Sequence, residues 1–248
     1  MQNIGEYRSL LARKPSSEVF DELIALVKND PHANDALFSY LSAHLTRWPE
    51  ALQRVLPDDD RLRVLARQPC PIATLCNTLS LRDLGLSDED VQAVATSTDL
   101  SMIRRVDLAY NKITADGVQS LCDATHLRDV EALDLRYNNI GDRGVTALSS
   151  SSLMSSLKEL YLQSNMISFN GVAELFSSDR MSSLTTLDLR YNLIGEEGAR
   201  AISRSPYTRN LSRLYLYLDD VSKEGCEAIA RSQSLRPHLS RVFSARAL

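Results

Sequence analysis

LDLRYNNI, residues 133–140, returns as LDLRYNLI at residues 187–194, and the same phrase recurs in weaker form around them. It reads LSLRDLGL from Leu79, VDLAYNKI from Val106, LYLQSNMI from Leu160 and LYLYLDDV from Leu214. The starting positions Leu79, Val106, Leu133, Leu160, Leu187 and Leu214 are therefore each 27 residues apart. A fixed period of this length marks an architecture in which each unit buries its apolar face against the next. Within LxL the two apolar side chains share one face of a short strand, and the Ile or Val at the eighth position returns to the same core.

About four residues after the phrase stands a glycine, Gly117, Gly144, Gly171, Gly198 or Gly225, with Asp90 in the first unit. A glycine there suits a close backbone approach where a helix begins. The apolar residues that follow, such as Val118, Leu121 and Cys122 or Val172, Leu175 and Phe176, have helical spacing. Each unit reads as one strand and one helix. Parallel strands pack about 4.8 Å apart and helices roughly 8 to 10 Å apart, so the helices fan around the outside and the strands line the inside. The expected turn is roughly 20° per repeat, giving an arc of about a third of a circle. Asn111, Asn138, Asn165 and Asn192 close the strand exits, where an amide can serve backbone groups of its own turn and of the neighbouring repeat. Leu84 and Asp219 take that place in the terminal units, as expected of atypical capping repeats.

The 27-residue unit, the LxLxxN phrase and the ensuing GVxxL helix closely resemble the ribonuclease-inhibitor-like subfamily of leucine-rich repeat proteins, over residues 76 to about 232. The resemblance implies an α/β fold, a curved solenoid of parallel strands inside and helices outside. It also implies a non-enzymatic scaffold that binds a protein, since members serve mainly in that way. Relatives include the Ran GTPase-activating protein and nucleotide-binding immune receptors, although this chain has no GxxxxGK[ST] loop. The alternative it raises is a regulator of a small GTPase, with Arg82, Arg104, Arg105, Arg136 or Arg190 as an arginine finger.

The first 75 residues do not share the repeat. Val19, Phe20, Leu23, Ile24 and Val27 form a helical stripe after Ser16, and Leu37, Leu41 and Leu45 form another after Asn34. Pro49 suits the first turn of a third helix carrying Leu52, Val55 and Leu56, and Asp58-Asp59-Asp60 precedes a fourth with Leu62 and Leu65. An open solenoid exposes its core at the first repeat, so residues 1–75 are expected to be a helical N-terminal cap, 76–232 the six repeats and 233–248 a C-terminal cap. The tail is basic, with Arg231, Arg236, His238, Arg241 and Arg246, and suits an edge that discourages further strands.

Residues 76–225 carry 15 basic and 21 acidic side chains. Such a body repels phosphate backbones, so no nucleic-acid partner is expected. There is no signal-like segment and no apolar run long enough for a bilayer, and the four cysteines lack metal spacing. A cytoplasmic protein without cofactor or metal is expected. His32, His44, His126 and His238 lie on unrelated segments, so no catalytic constellation emerges.

The functional signal lies on the strand face that looks away from the core. Its first row is Asp107, Asp134, Tyr161, Asp188 and Tyr215; its second is Ala109, Arg136, Gln163, Arg190 and Tyr217. Tyr110, Tyr137, Ser164, Tyr191 and Leu218 follow at the strand exits. Two explanations fit this composition. Asp and Arg two apart can simply neutralise one another beside sheet-forming tyrosines, or Tyr and Arg can act as interface anchors. A rigid curved row favours a protein over a small molecule, because no deep pocket follows from the pattern.

Overall fold

The structure, a computed structural model, describes residues 4–49, 52 and 54–244. Helices α1 (Ile4–Leu11), α2 (Ser17–Asn29), α3 (Asp35–Leu45) and α4 (Asp58–Leu65) come first. The side chains of Ser16 and Asn34 cap α2 and α3, accepting from the backbone N–H of Val19 at 3.2 Å and of Leu37 at 3.1 Å. Tyr7, Phe20, Leu23, Leu41, Leu45 and Trp48 are buried in one core with the first strands. On α4 the buried positions are Asp60 and Val64, while the expected Leu62 is exposed. Lys28 Nζ lies 2.8 Å from the buried Asp60 carboxylate, which is what lets a charge occupy that side of the helix.

The helix expected after Pro49 is not seen in the described part of that segment. Residues 50, 51 and 53 lie outside the described residues, and Arg54–Leu56 is extended. Val55 bridges Thr78 in parallel, Leu56 N donates to Thr78 O at 2.9 Å, and Arg54 O accepts from Asn77 N and Thr78 N at 3.0 and 3.2 Å. The same two-donor pattern recurs at Asn77 O, Arg104 O, Glu131 O, Lys158 O and Thr185 O. Arg54–Leu56 thus adds a rudimentary strand to the open edge of the sheet. Leu56 fills the core position that Leu79 fills one unit on. A paired edge satisfies backbone groups that a helix here would leave on β1 without partners.

Six strands follow: β1 (Thr78–Ser80), β2 (Arg105–Asp107), β3 (Ala132–Asp134), β4 (Glu159–Tyr161), β5 (Thr186–Asp188) and β6 (Arg213–Tyr215). They form one parallel sheet in chain order, with Leu79, Val106, Leu133, Leu160, Leu187 and Leu214 aligned in register. After each strand the chain enters an outer helix: α5 (Asp88–Thr96), α6 (Ala115–Asp123), α7 (Gly141–Ser150), α8 (Phe169–Ser177), α9 (Gly195–Arg204) and α10 (Lys223–Ala230). Each packs on the next, and their Val118, Leu121, Val172, Leu175 and Phe176 side chains are buried, with Cys122 half-buried. The fold is an α/β leucine-rich-repeat-like solenoid with a helical N-terminal region.

Gly171 shows why the helices can pack so closely. A Cβ there would stand 2.6 Å from Asp142 Oδ1 of the preceding helix. That carboxylate is already committed, because it accepts from Ser168 N at 2.7 Å and Ser168 Oγ at 2.6 Å. Asp88 does the same for Thr114 two repeats earlier, at 2.8 and 2.6 Å. Asp88 and Asp142, each in its helix's first turn, therefore close the N-terminus of the next helix.

The asparagines form the expected ladder. Asn192 Nδ2 donates to Leu162 O and Leu189 O, both at 2.9 Å, while its Oδ1 accepts from Asn165 N and Ile167 N at 3.1 and 3.0 Å. Asn111 and Asn138 repeat the pattern, and Asn165 spans from Leu135 O to Ile140 N. At the C-terminal end Asp219 stands in the ladder position of the atypical last repeat, and its neighbour Asp220 accepts from Asn192 N, at 3.3 Å. A short 3₁₀ turn over Leu218–Asp220 shifts the register by one there. Helix α11 (Pro237–Ser244) covers α10 and buries Leu239 and Phe243. Its His238 ring and the Arg236 guanidinium reach Ser212 O and Arg209 O, each at 2.9 Å. Among the described residues, no helix is long and apolar enough to cross a membrane.

Candidate functional site

Because side chains alternate along a strand, the register that buries the leucines puts a grid of polar side chains on the opposite face. Asp134 and Arg136 close on each other, with Nε 2.9 Å from Oδ1 and 3.0 Å from Oδ2. Asp188 and Arg190 repeat the pair 54 residues later, at 2.9 Å for Nε and 2.6 Å for Nη2. In both cases the arginine's own N–H also reaches the carboxylate, at 3.1 Å. Having been pulled toward its Asp, each guanidinium lies over a tyrosine of the next strand: Arg136 is 5.3 Å from the Tyr161 ring and Arg190 5.2 Å from the Tyr215 ring. An acid, a base and an aromatic ring thus form one unit that occurs twice.

Asp107 departs from this unit because Ala109 stands where the arginine would be. Its Oδ1 accepts from Ala109 N at 3.0 Å, and the nearest guanidinium is that of Arg82, 3.7 Å away and shared with Asp134 at 3.8 Å. Burial raises the Asp107 carboxyl above its ordinary value, and the facing charge of Asp134 adds to that rise against the pull of the Ala109 N–H. Tyr161 is pushed up to about 12, chiefly by burial and then by Glu159, whose carboxylate it meets at 3.2 Å.

Along the strand exits runs a second feature. Tyr110 and Tyr137 stack with ring centroids 4.3 Å apart, and Arg82 caps the stack 4.5 Å from Tyr110. Tyr191 and Tyr217 stack at 4.8 Å. Ser164 interrupts the row, and beside it Gln163 Nε2 donates to Tyr137 OH at 2.7 Å. Asp83, Tyr110, Tyr137, Ser164 and Tyr191 all hold φ between +54° and +60°, a left-handed conformation uncommon for bulky side chains. The ladder asparagine that follows at 111, 138, 165 and 192 anchors this turn through its amide. The rings are consequently presented to solvent, with Tyr110, Tyr137, Tyr191, Tyr215 and Tyr217 exposed by 38% to 51%.

Asp188 is only 1% exposed and Gln163 is also buried, so these two hold their neighbours in place from below. Tyr217, not Leu218, continues the ring row, because the 3₁₀ turn replaces the left-handed residue in the last repeat. Every arginine considered as a finger already faces a carboxylate: Arg82 that of Asp107, Arg104 that of Asp129, Arg105 that of Glu159, Arg136 that of Asp134 and Arg190 that of Asp188. Sequence reasoning passed over the rim beside Tyr191, where Met166, Phe169 and Leu193 are exposed, Leu193 by 71%. Apolar residues at the seventh phrase position, where other repeats have Lys112 and Asn139, were the available signal. Among the described residues, no cluster of His, Cys, Asp and Glu could hold a metal ion.

The Leucine Rich repeat family model matches residues 100–122, 126–149 and 180–203. Those three segments are similar to leucine-rich repeats. A comparison with curated proteins finds no match. Among solved structures, the tropomodulin C-terminal domain of Caenorhabditis elegans is similar at 15% identity and a TM-score of 0.43, over 76% of this chain and 96% of that one. The actin-binding site 2 of leiomodin-1 is similar at 12% identity and a TM-score of 0.41, over 76% and 92%. An internalin from Listeria monocytogenes is similar at 19% identity and a TM-score of 0.35, over 67% and 62%.

Proposed function

We propose that this chain is a non-enzymatic scaffold that recognises a protein partner on its inner strand face, with residues 1–75 and 233–248 capping repeats of the ribonuclease-inhibitor-like kind. The observation that supports this reading is the row of exposed, stacked tyrosines, fixed on a sheet whose register and asparagine ladder leave little freedom to the backbone. Large rings already ordered before binding give contact area at small entropic cost. Tyr110, Tyr137, Tyr161, Tyr191, Tyr215 and Tyr217 are the proposed contacts, with Asp107, Asp134 and Arg136 beside them and Arg190, Asp188 and Gln163 positioning the rings. The fixed ion pairs would give orientation more than affinity.

A photo-reactive amino acid placed at Tyr191, and for comparison at Thr146 on the outer helices, tests the reading in lysate of the native host. Cross-linking to one protein from position 191 and not from 146 is expected. Cross-links from 146 alone would move the interface to the outer layer and overturn the assignment.

A further inference from the structure

Arg54, the first residue of the rudimentary edge strand, has a buried guanidinium with no counter-ion among the described residues. The residue is 5% exposed. Its Nε donates to Leu75 O at 3.1 Å and its Nη1 to Leu45 O at 3.3 Å, both neutral carbonyls. Among the described residues no carboxylate pairs with it, and the charged group it feels most among cations is Arg104, which repels it. Burial draws its guanidinium below the ordinary value, and Arg104 adds to that direction. The other buried charges among the described residues are matched: Asp60 has Lys28 and Asp188 has Arg190. A buried cation without a partner is strongly unfavourable.

Arg54 lines a cavity of about 350 Å³ between the N-terminal helices and the first strands. Trp48, Asn77, Arg104, Arg105 and Glu131 also line it. The two further arginines meet their carboxylates only at long range, Arg104 Nη2 at 3.9 Å from Asp129 and Arg105 Nη1 at 3.4 Å from Glu159, while Arg104 Nη1 donates to the neutral carbonyls of Ser101 and Ile103 at 3.2 and 3.1 Å. Among the described residues the one acid of the lining, Glu131, is bound by Lys158 at 2.8 Å. Three arginines therefore line a space whose only described carboxylate is already taken. We propose that this cavity binds an oxyanion, a carboxylate or phosphate group, with Arg54 at its floor and Arg104 and Arg105 at its mouth. The planar fork of arginine matches either group through paired N–H donors. The volume exceeds that of a free ion, and the indole of Trp48 provides an apolar wall, so the group would be carried on a small organic body or an acidic side chain. The site touches the tyrosine face only through Arg105, whose partner Glu159 also meets Tyr161 OH at 3.2 Å, and it does not depend on the scaffold reading.

Trp48 is the chain's single tryptophan, so its fluorescence reports directly on the cavity. The full chain is titrated at constant ionic strength with inorganic phosphate, with acetate and with a capped Gly-Asp-Gly peptide. A saturable change is expected with at least one probe, and which one responds separates a free phosphate, a small carboxylate and an acidic side chain. The change should vanish in Arg54→Met, and in Arg104→Gln the same probe should bind about tenfold more weakly. Arg54→Met removes a buried charge and should melt no lower than the parent in anion-poor buffer; should it fail to fold, Arg104→Gln carries the test alone. No saturable response in the parent, or an undiminished one in Arg104→Gln, overturns the proposal.

Discussion

Asn138 spends both ends of its amide on backbone groups of two repeats, whereas Asn139, the next residue, is exposed. Asn138→Ala should therefore destabilise the protein by roughly 1 to 3 kcal/mol, because it leaves Ile113 N without a partner inside the stack and takes from Leu108 O one of its two amide donors, the other being that of Asn111. Asn139→Ala should leave the melting temperature nearly unchanged, and equal shifts would refute the register. Asp107 makes a prediction of the opposite sign. Its carboxyl is raised by burial, so the folded state holds the proton more tightly than the unfolded chain. Its cost to stability then grows as pH climbs from the ordinary carboxylate value through the folded one, and is fully present at neutral pH. Asp107→Asn keeps an oxygen for the Ala109 N–H and should melt higher than the parent at neutral pH, with the gain fading in acid. A gain that persists below the ordinary carboxylate value would contradict this account. The asparagines were legible in sequence because the demand the amide answers recurs at the same place in every unit. The left-handed tyrosines were not: Tyr137 gives no local sign of a positive φ, which comes from the turn that Asn138 holds.

At the scale of elements, strands and outer helices were readable because each carries its own period: two for LxL and about 3.6 for the helix after each glycine. The N-terminal region was only half readable. Ser16 and Asn34 announce α2 and α3, but Arg54–Leu56 is extended for a non-local reason, the open edge of β1, which nothing in its own composition reveals. That edge makes the N-terminal region structural in a stronger sense than a lid. Deleting residues 1–75 removes the paired edge and uncovers Leu79 and Leu81, so the remaining fragment should aggregate or lose its first repeats. Size-exclusion chromatography and thermal melting check this. A monomeric fragment with an undiminished transition would contradict it.

For the molecule as a whole, the repeats build a rigid acidic body with one face of ordered rings. The residue types of that face were legible from the period alone. Their exposure was not, since it depends on contacts across strands: the Asp188 carboxylate is covered while Tyr191, three residues on, is half exposed. This decides how the central claim is best tested. Removing Arg190 would strand buried Asp188 and confuse folding with binding, so the informative change is at the rings. Tyr191→Ser gives repeat five the residue that repeat four already carries in the same left-handed turn, and Tyr217→Ser removes its stacking partner. The measurement is the equilibrium affinity of the cross-linked partner, once purified, for the parent, for the double variant Tyr191→Ser with Tyr217→Ser, and for the exposed control Glu196→Ala with Glu197→Ala. The account predicts a loss of more than about 2 kcal/mol for the tyrosine pair, with little change for the control. Unchanged affinity in the tyrosine pair, with weakened binding in the control, would contradict it.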